Sequence, residues 1–325
     1  MPGFTTHYIF GMKAYNDMPF TPLKHTIAKY RWLYQLGLQG PDMFFYNIPI
    51  LRHRDYRNVG SYMHEHKVNA FFECCLRRIG TIRSRQQQEE AISYLAGFIN
   101  HYIADSICHP YVYGRIGYPV DAPTSMHHGM HAHLENELDA ILLWKYKKKK
   151  PSEFNQTATI CLNGQEIQFI SHFLASCINE TYYPITYRNN FQVTPAMVHR
   201  SIWALRFGCR TLSDKNGKKK FGIAQVESIF VNHPVASAKM VTDSVTDYRS
   251  SCNLNHEAWG NPWDPTRVST ASFVDLFHET LDKCSRVYAL LNSAVTDNMP
   301  LDKQDLSPLL TELGNESYHS GLPVD

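Results

Sequence analysis

Histidine and aspartate recur four positions apart in the segment HYIADSICH, which contains His101, Asp105 and His109. On an α-helix, residues at this spacing lie on one face, where their side chains can meet. Burying imidazoles and a carboxylate beside apolar neighbours such as Phe98 and Ile103 costs free energy unless a cation neutralises them. Imidazole and carboxylate donors without thiolate suit zinc, with manganese and iron as alternatives. The spacing therefore predicts a helix face that binds divalent metal ions.

A second segment, HAHLENELD, repeats the spacing with His131, Glu135 and Asp139. Two such helices packed antiparallel would point their polar groups into one space. His133 and Glu137 have the same spacing on a different helix face, so the residues alone leave both faces open. We expect Asp139, one turn beyond Glu135, to orient a ligand histidine rather than to bind metal itself.

Histidine is concentrated in the first part of the chain, where 11 of the 17 histidines precede residue 134. Further candidate ligands there are His7, Asp42 in GPDMFFY, and His64 and His66 in SYMHEHK. A single histidine is most often an ordinary hydrogen-bonded residue, so none of these indicates a metal site alone.

Helices must hold these side chains in place, and the clearest helical pattern runs from about residue 85 to 108. A capping-box pattern at Ser84 starts it, and the pair His109-Pro110 predicts a break at its end. A second helical pattern begins near residue 127 and stops at Pro151. Both predicted metal-binding segments therefore lie on helices.

The remaining elements define a mainly α fold. A third helix is predicted from Ser272 to about Leu291, whereas Asn163-Gly164 predicts a small β-hairpin near 157–170. We expect a helical metal-binding core in residues 1–150. We expect residues 151–325 to form a mostly helical C-terminal part packed on it as one unit, and the last fifteen or so residues to be a polar tail.

Composition indicates a globular protein, since 43% of residues are hydrophobic and 19% are charged. A net charge of +2 excludes a general attraction to nucleic acid or anionic membranes. The sequence has no signal-peptide pattern and no transmembrane segment, which predicts a cytoplasmic protein. The eight cysteines form no CxxC pair and are expected to be small core residues.

The motifs together resemble the zinc-dependent phospholipase C family, whose fold is shared with the fungal zinc-dependent single-strand nucleases. HYIAD resembles the family's HxxxD ligand helix, and HAHLENELD resembles its HxxxE helix. GPDMFFY and the early THYIFG add two matches in the expected order. The resemblance covers about residues 1 to 145 and implies a multi-helix fold that binds two or three zinc ions.

The resemblance also implies which residues bind each ion. The first ion would be held by Asp42, His64, His101 and Asp105, the last as a bridging carboxylate. The second would be held by His109, His131 and Glu135. In secreted relatives a third ion uses the mature N-terminal amine, a histidine corresponding to His7, and the bridging aspartate.

Two departures from the family pattern affect these assignments. Secreted relatives expose an N-terminal tryptophan, whereas this chain begins Met1-Pro2, so we expect the third site to be weak, differently built or empty. The gap from Asp105 to His109 is shorter than in those relatives, which leaves His127 or His128 as alternative ligands. We favour His109, because a helix break at Pro110 would turn it toward the site. The match favours His131 over His133, and order alone favours His64 over His66.

Closely spaced divalent ions suit the hydrolysis of a phosphodiester by a metal-activated water that attacks phosphorus. The resemblance implies that Asp42 is both a ligand and the general base. The expected substrate is a lipid or small-molecule phosphodiester, with transient membrane-surface contact. For each aromatic residue taken alone, core or surface packing is the favoured interpretation. The aromatic residues that could instead line an entrance are Tyr111, Tyr113, Tyr182, Tyr183, Tyr187, Trp259 and Trp263.

Two alternatives remain at this stage. The first is a nuclease or nucleotidase on the same fold, which would bind single strands in a salt-dependent way. The second is a metal-binding protein without catalytic activity. Metal analysis combined with assays on a chromogenic phosphodiester, a short-chain phosphatidylcholine and single-stranded DNA distinguishes them.

Overall fold

The computed structural model describes residues 3–325 except 47–58, 189–191, 213, 215–216, 231–236, 238–239, 244 and 246, and it leaves the side chains of 183–188 and 226–230 undescribed. The protein is mainly α, as predicted. None of the described helices is long and apolar enough to cross a membrane.

The helices in the first part are α1 Phe4–Asp17, α2 Pro22–Lys29, α3 Arg31–Gly37, α4 Val59–Glu65, α5 Val68–Thr81, α6 Arg85–Arg115 and α7 Ser125–Lys147, with a 3-10 helix at Gly40–Tyr46. Those that follow are α8 Gly164–Arg188, α9 Pro195–Leu212, α10 Lys218–Phe230, α11 Tyr248–Ser251, α12 Phe273–Thr296 and α13 Ser307–Leu313. Short 3-10 turns lie at Pro151–Glu153 and Gln156–Thr159, and β1 Trp259–Asn261 pairs antiparallel with β2 Asp264–Ser269.

Helix α6 is the centre of the fold and packs against α1, α2, α3, α12 and β1. Its start is as predicted, because the Ser84 hydroxyl accepts a hydrogen bond from the Gln87 amide. The predicted break at His109-Pro110 is wrong, since α6 continues to Arg115 with Pro110 inside it. A proline removes one helical hydrogen bond, but here buried packing on both sides of Pro110, by Cys108 and Tyr111, holds the helix.

Helices α3 and α6 approach so closely that only glycine fits at the crossing. A Cβ atom on Gly37 would lie 2.1 Å from the Tyr94 carbonyl oxygen. A Cβ atom on Gly97 would lie 2.1 Å from the carbonyl oxygen of Tyr34. This contact fixes the end of α3 beside the turn of α6 that carries His101.

The predicted β-hairpin near 157–170 is wrong, because α8 begins at Gly164. The Asn163 side chain accepts a hydrogen bond from the Glu166 amide at 2.9 Å, and the Glu166 carboxylate accepts one from the Asn163 amide at 2.8 Å. The Asn-Gly pair therefore starts a helix through reciprocal capping rather than turning a hairpin. The two-stranded sheet of the described residues instead lies at β1 and β2, in 259–269.

The predicted third helix is confirmed as α12, with Ser272 as its cap. One face of α12 is buried and packs on α6 and α1, so part of the region after residue 150 covers the helix that carries the metal-binding motif. Among the cysteines, Cys161 is exposed and departs from the core prediction, while most of the others are buried.

The last residues are not a polar tail. After α13, Gly314 has a positive φ of 86°, and the chain then folds back, with Glu316 bridging Pro323. Tyr318 is only 1% exposed. The Lys67 amide donates a hydrogen bond to the Asp325 carbonyl at 3.0 Å, which ties the end of the chain to the start of α5.

Candidate metal centre

The first group of candidate ligands consists of Asp42, His64, His101 and Asp105, whose ligand atoms all lie within 4.8 Å of one another. The 3-10 helix supplies Asp42, α4 supplies His64, and α6 supplies the other two. Gly40 makes this approach possible, because it has a φ of 45° and a Cβ atom there would lie 2.2 Å from the His101 ring.

The distances within this group match the edges of a metal-coordination tetrahedron. The His64 Nε2 atom lies 3.3 Å from Asp42 Oδ1 and 3.7 Å from Asp105 Oδ2. The His101 Nε2 atom lies 3.7 Å from Asp42 Oδ1 and 3.1 Å from Asp105 Oδ2. Zinc bonds of about 2.0 Å to nitrogen and oxygen in tetrahedral geometry separate the ligand atoms by about 3.3 Å. The four atoms therefore enclose a space of the right size for one ion.

Backbone carbonyls fix the histidine rings of the centre. The Nδ1 atom of His64 lies 2.6 Å from the Gly60 carbonyl oxygen, and that of His101 lies 3.1 Å from the Leu38 carbonyl oxygen. His109 Nδ1 lies 2.6 Å from the Tyr318 carbonyl oxygen. A ring that donates from Nδ1 to a carbonyl keeps its Nε2 lone pair for a metal ion.

The second group consists of His109, His131 and Glu135. Glu135 Oε1 lies 2.6 Å from His131 Nε2 and 3.7 Å from His109 Nε2. Helix α6 supplies His109, which is fully buried, and α7 supplies the other two, whose side chains remain slightly exposed at 13% and 12%. His109 reaches this group as the next turn of a continuous α6, so the reason that favoured it, a break at Pro110, is wrong.

His7 lies beside the first group rather than within it. Its Nε2 atom is 3.1 Å from Asp105 Oδ1, and its ring stacks on that of His101 at 4.0 Å. Asp105 thus faces His101 with one carboxylate oxygen and His7 with the other. The arrangement is suited to a carboxylate that bridges two ions.

The electrostatics of the centre favour a charged carboxylate at Asp105 and neutral imidazoles at His109 and His131, whereas they favour a proton on His101, which a metal ion must displace. Burial opposes charge on Asp105, but the imidazoles of His109 and His101 outweigh it and hold the pKa of Asp105 well below its usual range. Burial lowers the pKa of His109 to about 3 and lowers that of His131 strongly. Burial also works against protonation of His101, yet Asp105 and Asp42 raise the pKa of that imidazole. Charged carboxylates and neutral imidazoles are the forms that coordinate metal.

Several buried polar atoms of the centre have no hydrogen-bond partner among the described residues, and each such atom typically costs about 1–3 kcal/mol. They are both ring nitrogens of His7, Asp42 Oδ1, the Nε2 atoms of His64, His101 and His109, and both carboxylate oxygens of Asp105. These atoms converge from different elements, so a cation among them would satisfy them together. The donor set fits zinc.

The alternative ligands lie elsewhere. His66 stacks on Tyr62 at 4.2 Å. The Nδ1 atom of His127 lies 2.9 Å from the Thr124 hydroxyl at the start of α7, and the His128 ring lies beside Tyr118. Half of the His133 side chain is exposed. Neither group of candidate ligands includes any of these four histidines.

Asp139 has a different role from the predicted one. Its carboxylate oxygens accept hydrogen bonds from the amides of Thr5 and Thr6, at 3.1 and 2.7 Å. The prediction that Asp139 orients a ligand histidine is therefore wrong, because it holds the first turn of α1 and thereby the helix that carries His7. Burial raises the pKa of Asp139 to about 6.

The predicted entrance aromatics divide into core and site residues. Tyr111, Tyr182 and Trp259 are buried in the core. Tyr113 instead lies at the centre, with its ring 4.5 Å from that of His131, and Trp263 packs against it at 4.9 Å. The side chains of Tyr183 and Tyr187 lie outside the described residues.

Sequence reasoning missed two residues of the C-terminal segment. Tyr318 holds His109 through its carbonyl oxygen, and His319 packs its ring 4.9 Å from that of His64. Nearly 190 residues separate them from the motif on α7, so no helical spacing could have connected them to it.

The fold and the centre define a mainly helical protein with two groups of candidate metal ligands. The sequence model described as zinc dependent phospholipase C matches residues 6–186, which is more than half of the chain. The chain therefore belongs to the zinc-dependent phospholipase C family. Searches of curated proteins and of solved structures found no match.

Proposed function

We propose that the protein is a zinc-dependent phosphodiester hydrolase of the phospholipase C type, with the candidate ligands of both groups holding two ions. The observation that carries this proposal is the presence of two groups of metal-binding atoms that share one helix, α6. Divalent ions there would bind phosphoryl oxygens, lower the pKa of a water molecule and stabilise the leaving oxygen. A third ion beside His7 would raise the zinc content expected from this proposal from two ions per chain to three.

The test of this proposal is metal analysis of the purified protein followed by three assays. We expect about two zinc ions per chain and hydrolysis of a chromogenic phosphodiester and of short-chain phosphatidylcholine. Cleavage restricted to single-stranded DNA would instead identify a nuclease. Bound zinc without turnover of any of the three substrates would show that the protein binds metal without being a hydrolase.

Asp42 is the residue that we propose as both ligand and general base. Its carboxylate belongs to the first group, but 7% of its side chain remains exposed, whereas Asp105 is fully enclosed. Asp42 is thus the carboxylate of this group that can also contact a water molecule. It lies in the first turn of the 3-10 helix, which begins at Gly40.

Replacing this carboxylate tests that role. We expect Asp42→Asn to lose at least about 100-fold in turnover while most of the metal remains, because an amide can still coordinate but cannot take up a proton. Asp17→Asn, on the exposed end of α1, is the control and should leave turnover unchanged. Full activity of Asp42→Asn would refute the assignment.

A phospholipid substrate requires access to a membrane surface, and α9 offers a suitable face. Trp203 and Phe207 are 63% and 53% exposed, and their rings stack at 5.3 Å. Arg200 and Arg210 are exposed on the same helix. This helix packs against the 3-10 helix that carries Asp42, and a Cβ atom on Gly208 would lie 2.4 Å from the Tyr46 ring.

We infer that this face of α9 makes transient contact with phospholipid, since exposed aromatic rings flanked by arginine suit a membrane interface. The double variant Trp203→Ser, Phe207→Ser should bind vesicles of mixed phosphatidylcholine and phosphatidylserine several-fold more weakly. Its activity on soluble short-chain phosphatidylcholine should not change. Phe20→Ser, which alters a fully exposed aromatic residue between α1 and α2, is the matched control. Equal vesicle binding by all three proteins would exclude this surface.

A further inference from the structure

The C-terminal segment, residues 314–325, returns from α13 to the metal centre and is fixed there. Its backbone turns through a hydrogen bond from the Ser317 amide to the Leu322 carbonyl at 2.8 Å. Gly321 has a φ of 61° and passes so close to α6 that a Cβ atom would lie 2.5 Å from the Ser106 carbonyl oxygen. That carbonyl is the one that Pro110 leaves without its helical partner.

Within this segment, the backbone of Tyr318 joins the two groups of candidate ligands. Its amide donates a hydrogen bond to the His64 carbonyl at 2.9 Å, and its carbonyl oxygen lies 2.6 Å from His109 Nδ1. The residue that follows is therefore held beside both groups. The family match ends at residue 186, so this part of the centre lies outside it.

That residue is His319, which stays partly exposed while its ring contacts the centre. The ring lies almost parallel to that of His64 at 4.9 Å and is 5.7 Å from that of His109. Its Nδ1 atom lies 3.3 Å from the Tyr113 hydroxyl. Among the residues that the structure describes, none forms a hydrogen bond with the Nε2 atom of His319.

The Tyr113 hydroxyl, beside Nδ1, is placed to select one tautomer of His319. A neutral imidazole carries one N–H, on either Nδ1 or Nε2. When the tyrosine hydroxyl donates to Nδ1, that N–H is at Nε2. A neutral imidazole in this tautomer is a hydrogen-bond donor for an anionic oxygen.

We propose that His319, oriented by Tyr113, is a substrate-binding residue that donates a hydrogen bond from Nε2 to a phosphoryl oxygen of the bound phosphodiester. The inference rests on the proposed function, because it needs a phosphoryl group at the metal centre. His319 is a separate element of the centre, since its nitrogens belong to neither group of candidate ligands. Tyr113 acts as a positioning residue.

Inorganic phosphate is the probe for this proposal, with its binding to the zinc-loaded protein measured by calorimetry. We expect His319→Phe to weaken phosphate binding by about 10- to 100-fold, as the loss of one hydrogen bond to a charged group predicts. His319→Gln, which keeps an N–H donor, should recover part of that loss. His133→Phe is the matched control, because it alters a half-exposed histidine outside both groups.

Zinc content separates substrate binding from a structural role. All of these variants should keep the zinc content of the unaltered protein. Unchanged phosphate affinity in His319→Phe, or loss of zinc from it, would overturn the proposal. If the unaltered protein hydrolyses no phosphodiester but its phosphate binding still depends on His319, the proposed hydrolase function fails and this inference stands.

The positioning role of Tyr113 has its own readout. Nitrogen-15 chemical shifts of the zinc-loaded protein report the tautomer of His319, whose signals are those absent from His319→Phe. Tyr113→Phe should shift these signals toward a mixture of tautomers and weaken phosphate binding about two- to threefold. An unchanged tautomer in Tyr113→Phe would show that the tyrosine does not orient the ring.

Discussion

The two groups of candidate ligands differ in how completely the protein encloses them. The first brings four ligand atoms together and is buried, with Asp105, His64 and His101 fully enclosed. The second brings three atoms together and is partly exposed at the two residues from α7. Zinc sites with four protein ligands are typically structural, whereas three ligands and an open position are typical of catalysis. The comparison indicates that the more open coordination position is at the second group, whereas in the first group only Asp42 is slightly exposed.

The largest expected effect comes from Asp105→Asn, because this carboxylate is a candidate ligand of the first group, faces His7 with its other oxygen and lies beside the second group. Its oxygens lie 3.1 Å from His101 Nε2 and 3.8 Å from His109 Nδ1. We expect the affinity for the first ion to fall by more than about 100-fold and that for the second by about tenfold, measured by chelator competition. Asp17→Asn serves as the surface control, and full zinc content in Asp105→Asn would contradict a bridging role.

Glu135→Gln should separate the two groups. The second ion loses its charged ligand and about 10- to 100-fold in affinity, while the first ion stays bound. Elemental analysis should then find about one zinc per chain, against about two in the control His133→Gln. Loss of both ions together would mean that the two groups form one cooperative centre, and the comparison would fail.

Lowering the pH should weaken the binding of the first ion more than that of the second. The pKa of His101 is raised by Asp105 and Asp42 despite burial, whereas burial lowers that of His109 to about 3. Between pH 7 and 5 the first ion must therefore displace a proton from His101, and its affinity should fall by up to about tenfold per pH unit. The second group, with neutral imidazoles throughout this range, should show a shallower slope. Zinc titrations at several pH values measure these slopes, with Glu135→Gln reporting the first ion alone and the unaltered protein reporting both ions. Equal dependence of zinc affinity on pH in the two proteins would exclude this difference.

The smallest effect on metal should come from Asp139→Asn, a buried carboxylate in neither group. An amide accepts only one of the two hydrogen bonds from Thr5 and Thr6, so stability should fall by about 1–2 kcal/mol. Denaturant unfolding measures this loss, and both ions should remain. Loss of the first ion from Asp139→Asn would show that binding at the first group also depends on α1.

The sequence sufficed wherever helical spacing carried the information. His101, Asp105 and His109 lie on one face of α6, and His131 and Glu135 lie on one face of α7, as the four-residue spacing predicts. Local patterns failed where tertiary packing decided the outcome. Packing around Pro110 kept α6 intact, and the side chain of Asn163 capped a helix where the dipeptide also suits a hairpin.

The contribution of the C-terminal segment to the centre could not be predicted from the sequence, for a different reason. His319 is one polar residue among several in a segment without periodicity, and only the backbone contacts of Tyr318 place it at the centre. Contacts between residues so distant in sequence leave no spacing to detect. Asp105 could be predicted as a candidate ligand because His101 and His109 lie four residues away on its own helix.

Because α6 continues through Pro110, the spacing of the ligands along this one helix sets the spacing of the two groups. His101 and His109 are eight residues apart, which corresponds to about 12 Å along a helix axis, with Asp105 midway. One residue inserted after Asp105 would turn His109 about 100° away from the shared face. Substitutions can therefore change the metal affinity of either group separately. An insertion or deletion between His101 and His109 instead displaces the ligands of the two groups relative to each other.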